Sequence, residues 1–341
     1  MANTFITIQE IARETLPRLI ENLVFPNLIY KDYSDAYTSL GDTIRVRKPV
    51  VLEAKEFDAE TGVTAQDITE QTVPVTLDRI ATVDVEIGAL EGAVNIRSLS
   101  EQFLEPAAVA LAKKINSDGL ELYRDVFSFT GTAGATPSAL EDIAAVRKLL
   151  NKNGVPTDRR YALWDAEADA ALVQIPAIVS AEKSGSTQAL RSGSMGMIMG
   201  MENYMSQAVK THAGGSVTGT VTTGAQLSPG VTFFTVTGAG SGSTVKRGDL
   251  LTMAGRSYTV TRDADLGEGD AVHIYPAVAE TVPAGTALTF IQSGVQNLAF
   301  HPMAFAFVCR PLAQPAGVES YTTSFNGVSL RVCRGYDMKF K

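Results

Sequence analysis

The chain has 341 residues, about twice the roughly 150 of a typical domain, so two domains or one domain with a large insertion are expected. Hydrophobic residues at 45% and charged residues at 19% are close to globular averages, which excludes a disordered chain. The net charge of −8 argues against general affinity for nucleic acid, because duplex binding needs basic patches.

The N-terminal region carries acidic residues early and lacks a basic segment followed by an apolar one, so no secretory signal is predicted. No apolar run reaches the roughly 20 residues that a bilayer span needs. We therefore expect synthesis in a cytoplasm and no membrane partner.

The first 30 residues predict a helix followed by an extended segment. Thr7 and Glu10 have the spacing of a capping box, and apolar residues recur at helical spacing as far as Ile20. Pro17 lacks an N–H, so the helix should kink or divide there. The apolar stretch 23–30 is interrupted by proline and predicts an extended segment lying on another part of the protein.

Two alternating segments, 43–48 and 72–78, predict the strands of one long hairpin. Between them, residues 53–71 are rich in acids, Ala, Thr and Gly and have too few apolar side chains to form a core. A loop of this length is rare inside a compact domain and is typical of functional or disordered segments. Residues 80–88 alternate again and predict a further strand.

Helical spacing dominates the next part of the chain. A capping box and apolar residues three and four apart predict one long helix from 98 to 126, roughly 40 Å at 1.5 Å per residue. Pro106 should bend this helix rather than end it. A helix over 138–153, a buried strand at 161–164 and a helix over 166–174 are expected to follow.

Composition changes at His212, after which Gly, Ser, Thr and Val dominate without helical periodicity. This pattern predicts a small β-barrel or sandwich. It is expected to be an insertion, because the mixed pattern resumes at Gln296. Strands are predicted at 216–222, 231–237, 250–253, 256–262, 271–275 and 286–291.

No catalytic or metal site is predicted. His212, His273 and His301 lack metal-ligand or triad spacing. The Gly-rich run 238–243 lacks the Gly-Lys of a phosphate loop and predicts a flexible hairpin tip. The acidic run 263–270 departs from calcium-loop spacing and predicts a solvated turn. We therefore expect neither a cofactor nor enzymatic activity.

Cys309 and Cys333 have no metal-ligand spacing and are expected to be buried free thiols. The tripeptide Arg247–Asp249 matches an integrin-type motif, but three residues carry very little information.

The order of these elements resembles that of the major capsid proteins of tailed bacteriophages, in particular podovirus-type coat proteins with an inserted β-barrel domain. Three stretches carry the resemblance: LVFPNLIYKDYSDAYTSLGDTIRVRKP at 23–49, TVPVTLDRIATVDVEI at 72–87 and LRSGSMGMIMGMENYMS at 190–206. It covers essentially the whole chain, although the insertion matches in placement and composition rather than in residues.

The resemblance implies an α+β tailed-phage major capsid fold, also called the Johnson fold. The implied parts are an N-terminal arm (1–41), an extended hairpin loop (42–80), a peripheral domain with a spine helix at 98–126 and part of the axial domain (81–211), an inserted β-barrel (212–293) and the remaining axial and peripheral strands (294–341).

The function implied is self-assembly into pentamers and hexamers of an icosahedral shell that encloses the double-stranded DNA of a phage. The implied partners are other copies, a scaffolding protein during assembly, a portal protein at one vertex and DNA bound without sequence preference. The virion shell would assemble in the host cytoplasm. The candidate inter-subunit residues are Glu53, Lys55, Glu56, Asp58, Glu60, Arg331, Arg334 and Lys339.

Some members of this family crosslink neighbours through a Lys and an Asn, but no partner for Lys55 is identifiable, so non-covalent assembly is predicted. Two other structural functions remain open: an encapsulin-like compartment shell, and a phage tail or decoration protein. An enzyme would need a convergent polar cluster that the sequence does not offer.

Overall fold

The structure is a computed structural model that describes residues 8–31, 43–47, 72–85, 104–185, 187–311 and 317–335. Helices and sheets are mixed along the chain, as expected for the predicted α+β class. The chain forms two compact units. The first comprises Met1–Asn22, Tyr30–Ala112 and Ala306–Lys341, and the second comprises Leu23–Ile29 and Lys113–Phe305. Among the described helices, none has the length and apolar character that crossing a membrane requires.

In the described residues the α-helices are α1 (Ile8–Asn22), α2 (Glu105–Leu120), α3 (Leu140–Lys152), α4 (Ala166–Val173), α5 (Pro176–Val179), α6 (Ala181–Ser184) and α7 (Gln188–Ser192). Short 3₁₀-helices lie at Phe25–Leu28, Glu121–Asp125 and Pro302–Ala304. The β-strands are β1 (Thr43–Arg47), β2 (Thr72–Thr76), β3 (Arg160–Trp164), β4 (Gly196–Ile198), β5 (Met201–Met205), β6 (Thr211–Ala213), β7 (Thr222–Thr223), β8 (Phe233–Phe234), β9 (Val236–Thr237), β10 (Thr244–Val245), β11 (Leu250–Met253), β12 (Arg256–Val260), β13 (Ala264–Asp265), β14 (Val272–Tyr275), β15 (Leu288–Ile291), β16 (Ser293–Val295), β17 (Leu298–Phe300), β18 (Glu319–Phe325) and β19 (Val328–Arg334).

In the first unit, α1 confirms the predicted N-terminal helix and packs against the hairpin of β18 and β19. Division of the helix at Pro17 is not observed, since α1 continues through the proline. The buried Leu16 and Leu19 on either side of it keep the helix packed. The hairpin turns at Asn326 and Gly327, which both have positive φ, as a type I′ turn requires.

The predicted long hairpin is confirmed, since β1 pairs antiparallel with β2 from Thr43 opposite Thr76 to Arg47 opposite Thr72. Its connecting segment, including 53–71, lies outside the described residues. The strand predicted at 80–88 is wrong over 80–85, and 86–88 are not described. Residues 80–85 alternate in sequence, but they are exposed and no other described residue pairs with them as a strand, so they adopt no regular structure.

The cysteine prediction is partly wrong, because Cys333 is exposed on β19 whereas Cys309 is half-buried. The Cys309 Sγ accepts a hydrogen bond from the Ser329 N–H at 3.3 Å. Burial raises the pKa of the Cys309 thiol, although hydrogen bonding with Ser329 opposes the shift.

The stretch 23–30 was expected to be extended, but Phe25–Leu28 forms a 3₁₀-helix, for which Pro26 supplies the required φ. In the second unit, Phe25 is buried edge-on against the rings of Phe300 and Phe305, with centroid distances of 5.4 and 5.3 Å. A Cβ at Gly119 would lie 2.6 Å from the Phe25 ring, so only glycine fits there.

The helix predicted at 98–126 is shorter in the described residues. Here α2 has 16 residues, roughly 24 Å at 1.5 Å per residue, and its α-helical geometry ends at Leu120. The chain then tightens into the 3₁₀-helix Glu121–Asp125, a common way for an α-helix to end. Pro106 lies in the first turn of α2, where a missing N–H costs nothing and no bend is needed. Residues 98–103 lie outside the described part of the chain.

A four-stranded sheet in the order β17-β3-β5-β4 forms one core of the second unit. It includes the predicted buried strand β3, and the predicted helices at 138–153 and 166–174 are present as α3 and α4. Ile143, Trp164, Leu172 and Met201 are buried together in this core.

The β-rich segment, residues 211–295, has a core of its own. Its main sheet is antiparallel in the order β15-β11-β12-β14-β8, with shorter pairs β10-β13, β7-β9 and β6-β16. The predicted strands at 250–253, 256–262, 271–275 and 286–291 are confirmed. Because β15 and β8 stand at opposite ends of the sheet, closure into a barrel stays a prediction. The buried cluster includes Leu251, Met253, Tyr258, Val260, Val272 and Ile274.

Three predictions for the β-rich segment are wrong in detail. The strand expected at 216–222 is mostly irregular, and the one at 231–237 is split into β8 and β9. The run 238–243 is not a free hairpin tip, because its glycines let the backbone approach residues 218–220 closely: a Cβ at Gly238 would lie 2.2 Å from the Thr220 oxygen. Ser243, at the end of the run, is fully buried.

Candidate functional site

The residues predicted to mediate inter-subunit contacts are only partly within the described structure. Arg331 and Arg334 lie on β19 in the first unit, where Arg331 is half-buried and Arg334 is exposed opposite Glu319. The other predicted residues lie outside the described part of the chain: Glu53, Lys55, Glu56, Asp58, Glu60 and Lys339.

The most elaborate polar site within the described residues is where the 3₁₀-helix Glu121–Asp125 meets the β-rich segment, which we call the junction. At its centre, Tyr123, His212 and Asp249 are all buried. The Tyr123 Oη lies 2.8 Å from His212 Nδ1, and His212 Nε2 lies 2.7 Å from Asp249 Oδ1.

The direction of the hydrogen bonds in the junction follows from the chemistry of its groups. A carboxylate only accepts, so His212 Nε2 carries a proton and donates it to Asp249. In the neutral imidazole, Nδ1 is then an acceptor, and the Tyr123 hydroxyl donates to it. Every polar atom of the His212 ring is therefore paired within the protein interior.

Asp249 organises the surrounding backbone. Its Oδ2 accepts hydrogen bonds from the Gly215 N–H at 3.2 Å, the Lys246 N–H at 2.9 Å and the Gln292 side-chain amide at 3.2 Å. The carboxylate thereby ties together three separate parts of the β-rich segment. A buried carboxylate is tolerated only when its oxygens are satisfied in this way.

Gly248 lets the chain turn into this position. Its φ is +96°, which favours glycine, and a Cβ there would lie 2.8 Å from Arg124 Cγ and 3.1 Å from His212 Cε1. The glycine of the Arg247–Asp249 tripeptide is therefore required both by the backbone and by the close approach of two side chains.

Further contacts surround the buried centre. The Arg247 Nη2 donates hydrogen bonds to both carboxylate oxygens of Asp125, at 2.8 and 3.1 Å. The Thr259 hydroxyl donates a hydrogen bond to the Arg124 carbonyl at 2.8 Å. The Arg124 guanidinium lies 5.9 Å from the centre of the Tyr123 ring, and its interaction with Tyr123 raises the pKa of Arg124. The helix end and the β-rich segment are thus joined by several independent contacts.

The junction is suited to holding two structural elements together, because its tyrosine, histidine and carboxylate are buried and hydrogen-bonded in a chain. Within the described residues, no group of His, Cys, Asp and Glu side chains is arranged to hold a metal ion.

Sequence reasoning considered His212 and the Arg247–Asp249 tripeptide separately and missed their pairing across the fold. The position of His212 in the sequence was the signal that could have indicated the junction. It stands where the composition changes, and a buried polar contact is expected where two parts of a chain meet.

Comparison with known proteins finds a matching family model and several similar structures. The protein-family model described as "P22 coat protein - gene protein 5" matches residues 1–319. No curated protein matches the sequence. A solved structure from Mycobacterium phage Che8 is 20% identical with a TM-score of 0.45, covering 80% of this chain and 87% of that one.

Two further solved structures are similar at lower identity. The capsid structure of the cyanophage P-SCSP1u is 16% identical with a TM-score of 0.42, covering 81% of this chain and 86% of that one. The crystal structure of a virus-like particle from Pyrococcus furiosus is 12% identical with a TM-score of 0.29, covering 87% and 97% of the two chains.

Proposed function

The chain belongs to the P22 coat protein family, and we propose that this capsid protein assembles as pentamers and hexamers into an icosahedral shell around double-stranded DNA. The observation that carries the proposal is the family match over residues 1–319, which leaves only the last residues of the chain unmatched. A coat protein acts by assembling, so the proposal requires no catalytic residue and no cofactor.

We further propose the Johnson-fold organisation for this chain. Its parts are an arm (1–41), an extended hairpin (42–80), a peripheral domain with the spine helix and part of the axial domain (81–211), an inserted β-barrel (212–293) and the remaining axial and peripheral strands (294–341). The paired strands β1 and β2 support the hairpin, and α2 supports the spine helix. The separate hydrophobic core of the β-rich segment supports an inserted domain.

The extended hairpin is proposed to lie on an adjacent subunit. Val73, Ile80, Val83 and Val85, in and after β2, are between 39% and 53% exposed. Apolar side chains gain free energy when they leave water, at about 25 cal/mol per Å² of buried surface. A neighbouring copy that covered these side chains would therefore order the hairpin and strengthen the shell. Heterologous contacts of this kind close into rings, which suits pentamers and hexamers.

Charge pairing is proposed to add to this contact. The acidic residues Glu53, Glu56, Asp58 and Glu60 need basic partners, and Arg331, Arg334 and Lys339 of the adjoining copy are the candidates. The exposed position of Arg334 on β19 is compatible with such a contact. Reversing the three basic charges should reduce assembly. If reversing the acidic charges as well restores assembly, the acidic and basic residues are identified as partners. Unchanged assembly after the first reversal would remove these residues from the proposal.

The remaining partners follow from the role of a shell. Other copies form the pentamers and hexamers, a scaffolding protein guides assembly, and a portal protein occupies one vertex. The net charge of −8 fits a protein that encloses DNA without reading its sequence. The shell is proposed to assemble in the host cytoplasm and to persist as the virion.

The direct test is to express the full chain with and without a candidate scaffolding protein and to examine the products by negative-stain electron microscopy and sedimentation. Closed shells or polymorphic shell-like particles are expected. Deleting residues 53–70 should then block assembly while leaving the unfolding transition of the subunit unchanged. A monomer or small oligomer under every condition, with scaffold present, would contradict the proposed function.

A further inference from the structure

A groove of about 1030 Å³ lies within the second unit, beside the loop at residues 126–137. Its surface is mainly apolar and includes Phe127, Val146, Leu150 and Leu298. A groove of this size and character is large enough for several side chains of an extended peptide.

The charged groups that line the groove have one sign. Asp125, Asp142, Asp165 and Glu167 contribute to its lining, while none of the described lining residues is Lys or Arg. Asp125, Asp142 and Asp165 already accept hydrogen bonds within the unit. Glu167 is exposed at the start of α4. The groove therefore favours an occupant that is apolar and positively charged.

In the described part of the chain, the groove includes a buried donor that lacks a partner. His301 lines the groove and is 8% exposed, and its Nδ1 accepts a hydrogen bond from the Met303 N–H at 3.3 Å. Because Nδ1 is the acceptor, the neutral ring carries its proton on Nε2. Within the described residues Nε2 has no hydrogen-bond partner, and a buried donor in this state is destabilising. A carbonyl oxygen of an occupant would satisfy it.

The groove also includes the edge of a sheet. β17 stands at one end of the four-stranded sheet, pairs with β3, and contributes all of its residues to the groove lining. An edge strand presents backbone donors and acceptors that an extended peptide can pair with. The groove therefore combines an apolar surface, acidic side chains and a strand edge.

We propose that this groove receives the strand Thr43–Arg47 of a second copy of the chain. In this segment apolar Ile44 and Val46 alternate with basic Arg45 and Arg47, which matches an apolar groove with acidic lining. Among the described residues β1 pairs only with β2, so within that part of the chain its other edge is left for pairing. The strand β19 has a related pattern, but it packs against α1 within its own unit.

This inference rests on the proposed function, because it names the surface on which the extended hairpin of a neighbour lies. It differs from the proposed charge contact of residues 53–60, since here the basic strand at the base of the hairpin meets acidic side chains.

The single tryptophan of the chain provides the test. Trp164 lines the groove, and its indole N–H donates to Asn203 Oδ1 at 2.9 Å. A peptide of residues 41–50, GDTIRVRKPV, is titrated into the unassembled full-length protein while tryptophan fluorescence is recorded. We expect a saturable change. A peptide with Arg45→Glu and Arg47→Glu should bind about tenfold more weakly.

Two variants examine the groove itself. Glu167→Lys should weaken binding of the wild-type peptide about tenfold and strengthen binding of the charge-reversed peptide. His301→Asn keeps an acceptor for the Met303 N–H but removes the Nε2 donor, and should weaken binding about threefold. Glu268→Lys, an equal charge change in an exposed turn outside the groove, is the matched control and should leave binding unchanged.

Electron microscopy of the same wild-type preparation separates the two proposals. If shells form but the fluorescence shows no saturable change, the groove assignment is overturned and the proposed function stays intact. The same follows if shells form and both peptides bind equally. Preferential binding of an acidic peptide from residues 53–62 would also overturn it. Absence of shells with scaffold present would instead contradict the proposed function.

Discussion

The β-rich segment and the hairpin of β1 and β2 are both made of strands, but they obtain stability from different sources. In the β-rich segment, Leu251, Met253 and Val272 are fully buried in a shared core. In the hairpin region, the valines and isoleucine in and after β2 remain exposed. The first region is stabilised by contacts within the chain, whereas the second has apolar surface still available for contacts with another molecule.

This difference indicates a division of roles within a coat protein. A two-stranded hairpin is marginally stable on its own, so its conformation depends on what it lies against. A segment with its own core and a buried polar junction keeps its structure in the free subunit. Substitutions in the β-rich segment should therefore affect folding of the subunit, and substitutions in the hairpin should affect assembly.

The largest effect is expected at Asp249. Asp249→Ala removes the acceptor for His212 Nε2 and for the donors of Gly215, Lys246 and Gln292. Leaving these buried donors unsatisfied should lower the free energy of unfolding by about 3–5 kcal/mol. Urea unfolding of the unassembled subunit measures this, with the exposed Asp158→Ala as the control. A loss below about 1 kcal/mol would show that the junction does not stabilise the fold.

A matched pair of valine substitutions tests the comparison directly. Val272→Ala removes two buried methyl groups from β14 and should lower the free energy of unfolding by about 2–3 kcal/mol. Val83→Ala makes the same chemical change at an exposed position and should alter the free energy of unfolding by less than about 0.5 kcal/mol. The assembly yield should respond to Val83→Ala. Equal losses of stability in the two variants would contradict the distinction between the regions.

A glycine pair tests how closely the junction is packed. Gly248→Ala should lower the free energy of unfolding by about 2 kcal/mol, because positive φ and contact with Arg124 and His212 both oppose a methyl group. Gly242→Ala also has positive φ but meets no atom within 4 Å, so its loss should be about 1 kcal/mol. Thermal unfolding of both variants measures the difference. If the two losses were the same, close packing at Gly248 would contribute nothing.

Much of the fold was predictable from local sequence patterns. Helical spacing predicted α1, α3 and α4, and alternation predicted β1, β2 and the longer strands of the β-rich segment. The errors occurred where tertiary contacts override local preference. Phe25 packs in a cluster of aromatic rings, and the chain around it forms a 3₁₀-helix. Residues 80–85 have a strand pattern, but no described residue pairs with them.

The junction was not predictable in the same way, because its parts are distant in sequence. Tyr123 and Asp249 contribute to one hydrogen-bonded chain through His212, and no periodicity links them. The short strands β10 and β13 were missed for a related reason, since two-residue strands have no detectable alternation.

The smallest effect is expected at Arg247, two residues from Asp249. Its ion pair with Asp125 is about half exposed, so Arg247→Gln should lower the free energy of unfolding by less than about 1 kcal/mol. A double-mutant cycle with Asp125→Asn measures the coupling, which high salt should screen. A coupling as large as the effect of Asp249→Ala would mean that surface charge joins the β-rich segment to the 3₁₀-helix Glu121–Asp125. The expected small value instead assigns that role to the buried carboxylate, although both residues belong to the same tripeptide.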